Sequence, residues 1–223
     1  MDDFYFSEPP GQWTLPVAKA GLPIIAASAF ATLVVAILGF QVTAVIGLLW
    51  TFAVVGFFRD PDRAIPAGDD LIVSPADGKV IVVSPGSINP YTKAEAQKIS
   101  IFMSVFNVHV NRIPSSGKIT AVRYHPGRFV PADRETASLR NEQNAVFLAT
   151  EKGASLCVVQ VAGLIARRII CHVQAGDRIK RGQRFGLICF GSRLDLYLPA
   201  EAQLDVRVGD RVSAGTSILA RLN

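Results

Sequence analysis

Charge is scarce in this chain. Only 18% of its 223 residues are Asp, Glu, Lys or Arg, against 50% hydrophobic. So apolar a chain has ample surface to condense, which excludes a disordered tail or linker protein. Cysteine is scarce too. Cys157, Cys171 and Cys189 are odd in number, far apart and never arranged as C-x-x-C. That excludes a disulfide scaffold and a thiolate metal centre, and it fits a reducing compartment. No basic run interleaved with aromatics occurs, so the net charge of +5 does not mark a nucleic-acid binder. The G-x-S-x-G elbow of α/β-hydrolases is missing, as is their alternation of strands and helices.

The apolar residues are concentrated in one place. From Gly21 to Phe58 no side chain is charged, nearly twice the roughly 20 residues that one bilayer-spanning helix needs. Gly39 and Gln41 are the only break, which predicts two short apolar helices in a hairpin with both ends on one side; a single tilted span and helices lying in the interface are the alternative readings. The residues before it are acidic (Asp2, Asp3, Glu8) where a signal peptide needs a basic segment, so the run reads as a membrane attachment. Residues 1–58 carry −2 and the remainder +7, a basic domain that an anionic bilayer would attract.

Arg59 to Asp70 (RDPDRAIPAGDD) is rich in Pro and charge and predicts a linker, giving a helical segment 1–58, a linker 59–70 and a domain 71–223. Beyond it come short runs of β type, among them KVIVVS, KISIFMSVF, NVHVNRI, SLCVVQVAG and RLDLYLP, punctuated by Gly, Pro and Asp. Only Asp133 to Glu142 looks helical. The expected fold is mainly β (α+β). A repeat sharpens this: VQAGDRIKRGQRFGLI from Val173 matches VRVGDRVSAGTSI from Val206, with Gly176 and Gly209, then Gly182 and Gly215, at an offset of 33. Such units resemble the halves of a lipoyl-like barrel-sandwich. The carrier lysine of that fold has no clear counterpart beyond Lys180, so the repeat reads as structural.

Acid–base chemistry would most economically use one of three histidines, His109, His125 or His172. His109 lies in FNVHVNRIP, where strand alternation puts it on the face of Asn107. Asp77 occupies the turn SPADGKV, an Asp-Gly pair common in hairpins. Ser192 follows Gly191 between two very apolar runs, where glycine would weaken a strand. An Asp, a His and a Ser in that chain order are able to form a charge-oriented nucleophile. It would act either on an external ester or amide, as a serine hydrolase, or on the nearest acyl carbon, that of Gly191. A non-catalytic, membrane-tethered lipoyl-like module is the third reading.

The segments FFRDPDR, SPADGKV, FNVHVNR, NEQNA and above all RRIICHVQAGDRIKRGQRFGLICFGSRLDLYLP resemble the short bacterial phosphatidylserine decarboxylase proenzymes, and the related archaetidylserine decarboxylases, over essentially the whole chain. The resemblance implies self-cleavage between Gly191 and Ser192 by the triad Asp77, His109 and Ser192. The products would be a β chain 1–191 and an α chain 192–223, held as an α/β heterodimer, with Ser192 converted to a covalent pyruvoyl group. That cofactor would accept the charge released when phosphatidylserine loses carbon dioxide to give phosphatidylethanolamine, a step of phospholipid biosynthesis; no metal is implied. The site reads F-G-S-R where long forms have L-G-S-T, and Phe106 stands where long forms have a second histidine. Arg193, Arg112, Arg167 and Arg168 are candidate contacts to the lipid's anionic groups. The expected location is the cell membrane, with the catalytic domain on the cytoplasmic side.

Overall fold

The computed structural model describes residues 4–5, 16–132, 137–164, 168–189 and 191–222, with only the backbone given for Phe4, Tyr5 and Leu139. The chain divides into two packed units, Pro10–Asp62 and a second made of Met1–Pro9 with Arg63–Asn223.

In the larger unit an eight-stranded antiparallel sheet runs in the order Arg178–Ile179, Gly117–His125, Gln143–Thr150, Ser155–Val161, Ser192–Pro199, Glu95–Met103, Gly78–Ile88, Arg211–Val212. Two three-stranded sheets accompany it. One orders Ile169–Cys171, Arg184–Ile188 and Val110–Arg112; the other orders Gln203–Leu204, Ile218–Arg221 and Leu71–Val73. The domain is mainly β, as the run pattern predicts, and the long sheet curls into a half-barrel.

Ser192–Pro199 lies in the middle of that sheet, between Glu95–Met103 and Ser155–Val161. Its period-2 pattern explains why. Leu194, Leu196 and Leu198 enter the main core beside Ile99, Ile101 and Val158, while Tyr197 on the other face packs with Val159 and Val161. Both faces are covered, so burying each leucine contributes about 2 kcal/mol and leaves no room to slip the register.

The sequence repeat is a repeat of structure. Asp177 and Asp210 each accept the backbone N–H three residues earlier, from Gln174 and Arg207. Gly176 and Gly209 have φ of +99° and +105°, Gly182 and Gly215 of +78° and +76°, which only glycine adopts cheaply. Their amides close on matching partners: Gly176 N–H on Ile119 O, Gly209 N–H on Val80 O. The two short strands that follow each G-D turn cap opposite ends of the long sheet.

Two expectations need adjusting. The helix read over Asp133–Glu142 is a single turn, Ala137–Arg140, with 133–136 outside the described residues. The runs KISIFMSVF and NVHVNRI are strand only as far as Met103 and only from Val110, so Asn107 and His109 lie between strands rather than on one. Asn107 explains the break, because its Oδ1 accepts both the N–H and the hydroxyl of Ser104 at 2.9 and 2.8 Å. Its side chain therefore caps a turn rather than sharing a strand face with His109.

The smaller unit is a hairpin of two helices, Leu22–Ile37 and Gln41–Phe57, reversed at Gly39 with φ +82°. Its packing is inside-out. The helices meet through Ser28, Thr32 and Thr51, with Ser28 Oγ and Thr51 Oγ1 2.8 Å apart, and at Gly47, where a Cβ would press on the Thr32 hydroxyl. Ile24, Phe30, Leu33, Val45, Leu49 and Phe52 face outward instead. Small and hydroxyl residues between helices with bulky apolar ones outside is the pattern of helices packed in lipid. Lys19–Ile37 is the one described helix long and apolar enough to cross a membrane.

Candidate active site

Ser192 is fully buried at the start of the central strand, paired with Met103. Its Oγ donates to Met103 Sδ at 3.5 Å, a soft acceptor that orients a hydroxyl without holding its proton strongly. Gly191 before it has φ +59°, a region costing a residue with Cβ about 1–2 kcal/mol. Nothing lies within 4 Å of where that Cβ would be, so conformation rather than space demands glycine. The strand thus begins at Ser192, and the backbone turns at the residue whose carbonyl the serine would attack.

His109 is also fully buried. Its Nδ1 lies 2.9 Å from the Asn107 carbonyl; a carbonyl only accepts, so in the neutral ring Nδ1 carries the proton and Nε2 the basic lone pair. The His109 carbonyl in turn accepts the Ile188 N–H, which ties the histidine to the strand leading into Gly191. Two residues on, Asn111 Nδ2 reaches Met103 Sδ at 3.8 Å, while its Oδ1 accepts from Gln160 and Gln160 from Asn144. The Met103 sulfur is therefore where Ser192 and the His109–Arg112 segment converge.

Asp77 sits in a turn held to that segment by the bond from Arg112 N–H to the Pro75 carbonyl. Its Oδ2 accepts from Arg63 at 2.8 Å and its Oδ1 from the Ala214 N–H at 2.7 Å. The repeat gives this second bond a counterpart: Arg181, 33 residues before Ala214, donates its N–H to Ser116 Oγ at 3.0 Å. Ser116 precedes Gly117 as Asp77 precedes Gly78. A hydroxyl does in one half what Asp77 Oδ1 does in the other, so the carboxylate's charge is surplus to the turn.

The arginines separate. Arg193, beside the serine, is fully buried; its Nε donates to Asp195 Oδ1 at 2.6 Å and its Nη2 to Ser100 Oγ at 2.8 Å. Ser138 and Lys98 reach the other Asp195 oxygen. Burial would raise the Asp195 carboxyl, but the Arg193 and Lys98 charges outweigh it and hold the group below the usual carboxylate range. Arg112 is buried with Nη1 on the Gly182 carbonyl, Arg168 is exposed, and Arg167 lies outside the described residues. Arg-x-Asp on one face of an apolar strand was the sequence signal for the Arg193–Asp195 pair. Met103 and Gln160 carried no such mark.

Two of the thiols are poor nucleophiles: burial pushes Cys157 up to about 12, and burial also raises Cys189 despite the nearby Arg168. Among the described residues no three His, Cys, Asp or Glu gather where they could hold a metal ion. A groove of about 770 Å³ lined by Tyr91, Arg123, Phe147 and Tyr197 includes none of Ser192, His109 and Asp77.

Comparison with known proteins gives a consistent result. Residues 50–220 match the sequence model of a family described as phosphatidylserine decarboxylase. The chain is 49% identical over 207 residues to the phosphatidylserine decarboxylase proenzyme of Geotalea uraniireducens, covering 93% of this chain and 97% of that one. To the protein of the same name from Desulfotalea psychrophila it is 48% identical over 208 residues, with the same coverage.

Proposed function

This chain belongs to the phosphatidylserine decarboxylase family, and from that premise we propose that it matures by cutting itself between Gly191 and Ser192 before it decarboxylates phosphatidylserine to phosphatidylethanolamine. The observation that carries the proposal is the sealed serine. With no exposed surface, Ser192 in the intact chain is out of reach of an external ester, but the carbonyl of Gly191 is its own neighbour. The serine-hydrolase reading has no support in the family and fails on this burial.

His109 Nε2 takes the Ser192 Oγ proton while Oγ bonds to the Gly191 carbonyl carbon; the proton passes to the departing amide nitrogen as the C–N bond breaks. The peptide has become an ester. Loss of the Ser192 Cα proton and cleavage of its Cβ–O bond then release Gly191 as a carboxylate, giving chain 1–191 and a chain 192–223 that begins with dehydroalanine; its enamine tautomerises to an imine, and water replaces the nitrogen, which leaves as ammonia. A pyruvoyl group formed at residue 192 would supply an electron-poor carbonyl to take up the electron pair left by the departing carboxylate. The position suits it: it is buried, backed by Met103, and followed by a residue anchored on Asp195.

Lipid access also fits. Antiparallel pairing with Ser192–Pro199 makes Glu95–Met103 and Ser155–Val161 both end beside Ser192. The turns just beyond carry Phe106, 84% exposed, and Leu164, 56% exposed, an apolar rim on either side of the site. Together with the inside-out hairpin this supports work at a membrane surface.

With vesicles of phosphatidylserine labelled in the headgroup carboxyl, the purified protein should release labelled carbon dioxide and form phosphatidylethanolamine. Prior borohydride reduction should abolish this; release of free fatty acid or serine in its place would refute the assignment. Asp77→Ser isolates the carboxylate. Because Ser116 already fills the equivalent acceptor role, this variant should stay folded yet cleave about tenfold or more slowly. Wild-type cleavage would reduce Asp77 to a turn residue.

A further inference from the structure

Gly163 is a glycine because another residue's oxygen occupies the place of its side chain. A Cβ built there overlaps the Gly191 carbonyl oxygen outright, comes within 3.0 Å of the Gly191 carbonyl carbon, and lies 3.2 Å from Ala132 Cβ. The scissile carbonyl therefore rests on the Gly163 Cα, close enough for a Cα–H···O contact.

This seat is rigid. Ala162, the residue before it, is held at both main-chain groups: its N–H donates to the Glu142 carbonyl and its carbonyl accepts from Asn141 Nδ2 at 2.7 Å. Asn141 is itself buried and bonded twice more, to the N–H and carbonyl of Val130. On the far side, Ser192 is fixed by its pairing with Met103 and Arg193 by its pairing with Val161. Rotation of the planar Gly191–Ser192 peptide unit, about the Gly191 Cα–C and Ser192 N–Cα bonds, is the freedom that remains, and it decides whether the carbonyl carbon turns its face to Ser192 Oγ.

We infer that Gly163, braced by Asn141, is a positioning residue for self-cleavage: it fixes the direction of the Gly191 carbonyl so that Ser192 Oγ can add to it. The inference rests on cleavage at Gly191–Ser192. In that step Oγ–H gives its proton to the base, the Oγ–C bond forms, and the carbonyl π pair moves onto the oxygen lying against Gly163. When the C–N bond breaks, the pair returns and the nitrogen receives the proton. A methyl at Gly163 would push that oxygen away. A displacement of the order of 1 Å at a reacting centre costs about a hundredfold in rate.

The test follows the cleavage of newly made full-length chain by intact mass, with and without hydroxylamine, which splits an ester but not a peptide. Wild type must first be cut between Gly191 and Ser192; failure there refutes the cleavage reading itself. Given that cut, Gly163→Ala should fold like uncleaved Ser192→Ala by circular dichroism, cleave at least about a hundredfold more slowly, and yield no Gly191 hydroxamate, because the ester never forms. Cleavage at the wild-type rate, or an ester that accumulates and is trapped, overturns the inference. So does recovery in Gly163→Ala/Ala132→Gly, which would trace the loss to crowding against Ala132. If Gly163→Ala does not fold, Asn141→Ala reads the same step without overlap: slowed cleavage in folded protein supports the brace, and wild-type cleavage removes it.

Discussion

Replacing Ser192 by alanine should leave a single uncut chain of 24.0 kDa with no decarboxylase activity, where the wild type should yield fragments 1–191 and 192–223. No other single change removes both the cleavage nucleophile and the precursor of the reactive carbonyl, so this is the largest functional loss expected. Stability should hardly move. The only hydrogen bond described for the hydroxyl is the one to Met103 Sδ, and a thioether is a weak acceptor, so its loss costs less than about 1 kcal/mol. Intact mass before and after prolonged incubation, beside thermal melting, checks both halves. Activity in the uncut variant would dissociate decarboxylation from residue 192.

The second large effect is on folding. Asp195→Ala deletes the carboxylate that Arg193 donates to in a fully dry site, and removing one member of a buried pair typically costs about 3–5 kcal/mol. For a chain of this size that lowers the melting midpoint by roughly 10 °C. The double change Arg193→Met/Asp195→Leu, which removes both charges and keeps the volume, should recover most of the loss. A double variant as unstable as the single one would show that packing, not charge, is at stake. The pair also sets an acid limit. Asp195 is held below its unfolded pKa, so its stabilisation is complete above the ordinary carboxylate range and disappears as pH falls through the folded value. Asp195→Asn should flatten that part of the acid-unfolding curve.

Much of this was legible in the residues. The Gly-Ser pair between apolar runs and the 33-residue repeat pointed to the strand at Ser192 and to the paired Gly-Asp turns, because period-2 patterning and Gly-Asp turns are local codes. Gly163 was not legible. Its constraint comes from a carbonyl 28 residues away in the sequence, and a glycine needed for tertiary approach looks like one needed for a turn. Arg193 shows a second limit. Its place beside the serine suggested an anion contact, yet strand alternation turns it to the opposite face, toward Asp195. Asn107 marks a third, since a single capping side chain ended a strand that propensity would have continued.

The central location of Ser192–Pro199 has a further consequence for the cut protein. Hydrogen-bonded neighbours flank that strand on both sides, and the segment continues through Gln203–Leu204, Arg211–Val212 and Ile218–Arg221 into two sheets. Separating the fragments therefore means unfolding them. Cleavage at Gly191–Ser192 would change the molecularity of the transition: an intact chain unfolds in a first-order equilibrium independent of concentration, whereas a nicked protein would have to reassemble from two pieces and its melting point would rise with concentration. Were the chain cut there, a fragment lost to aggregation or dilution while apart would not be recovered, so the rate of opening would set the protein's working lifetime.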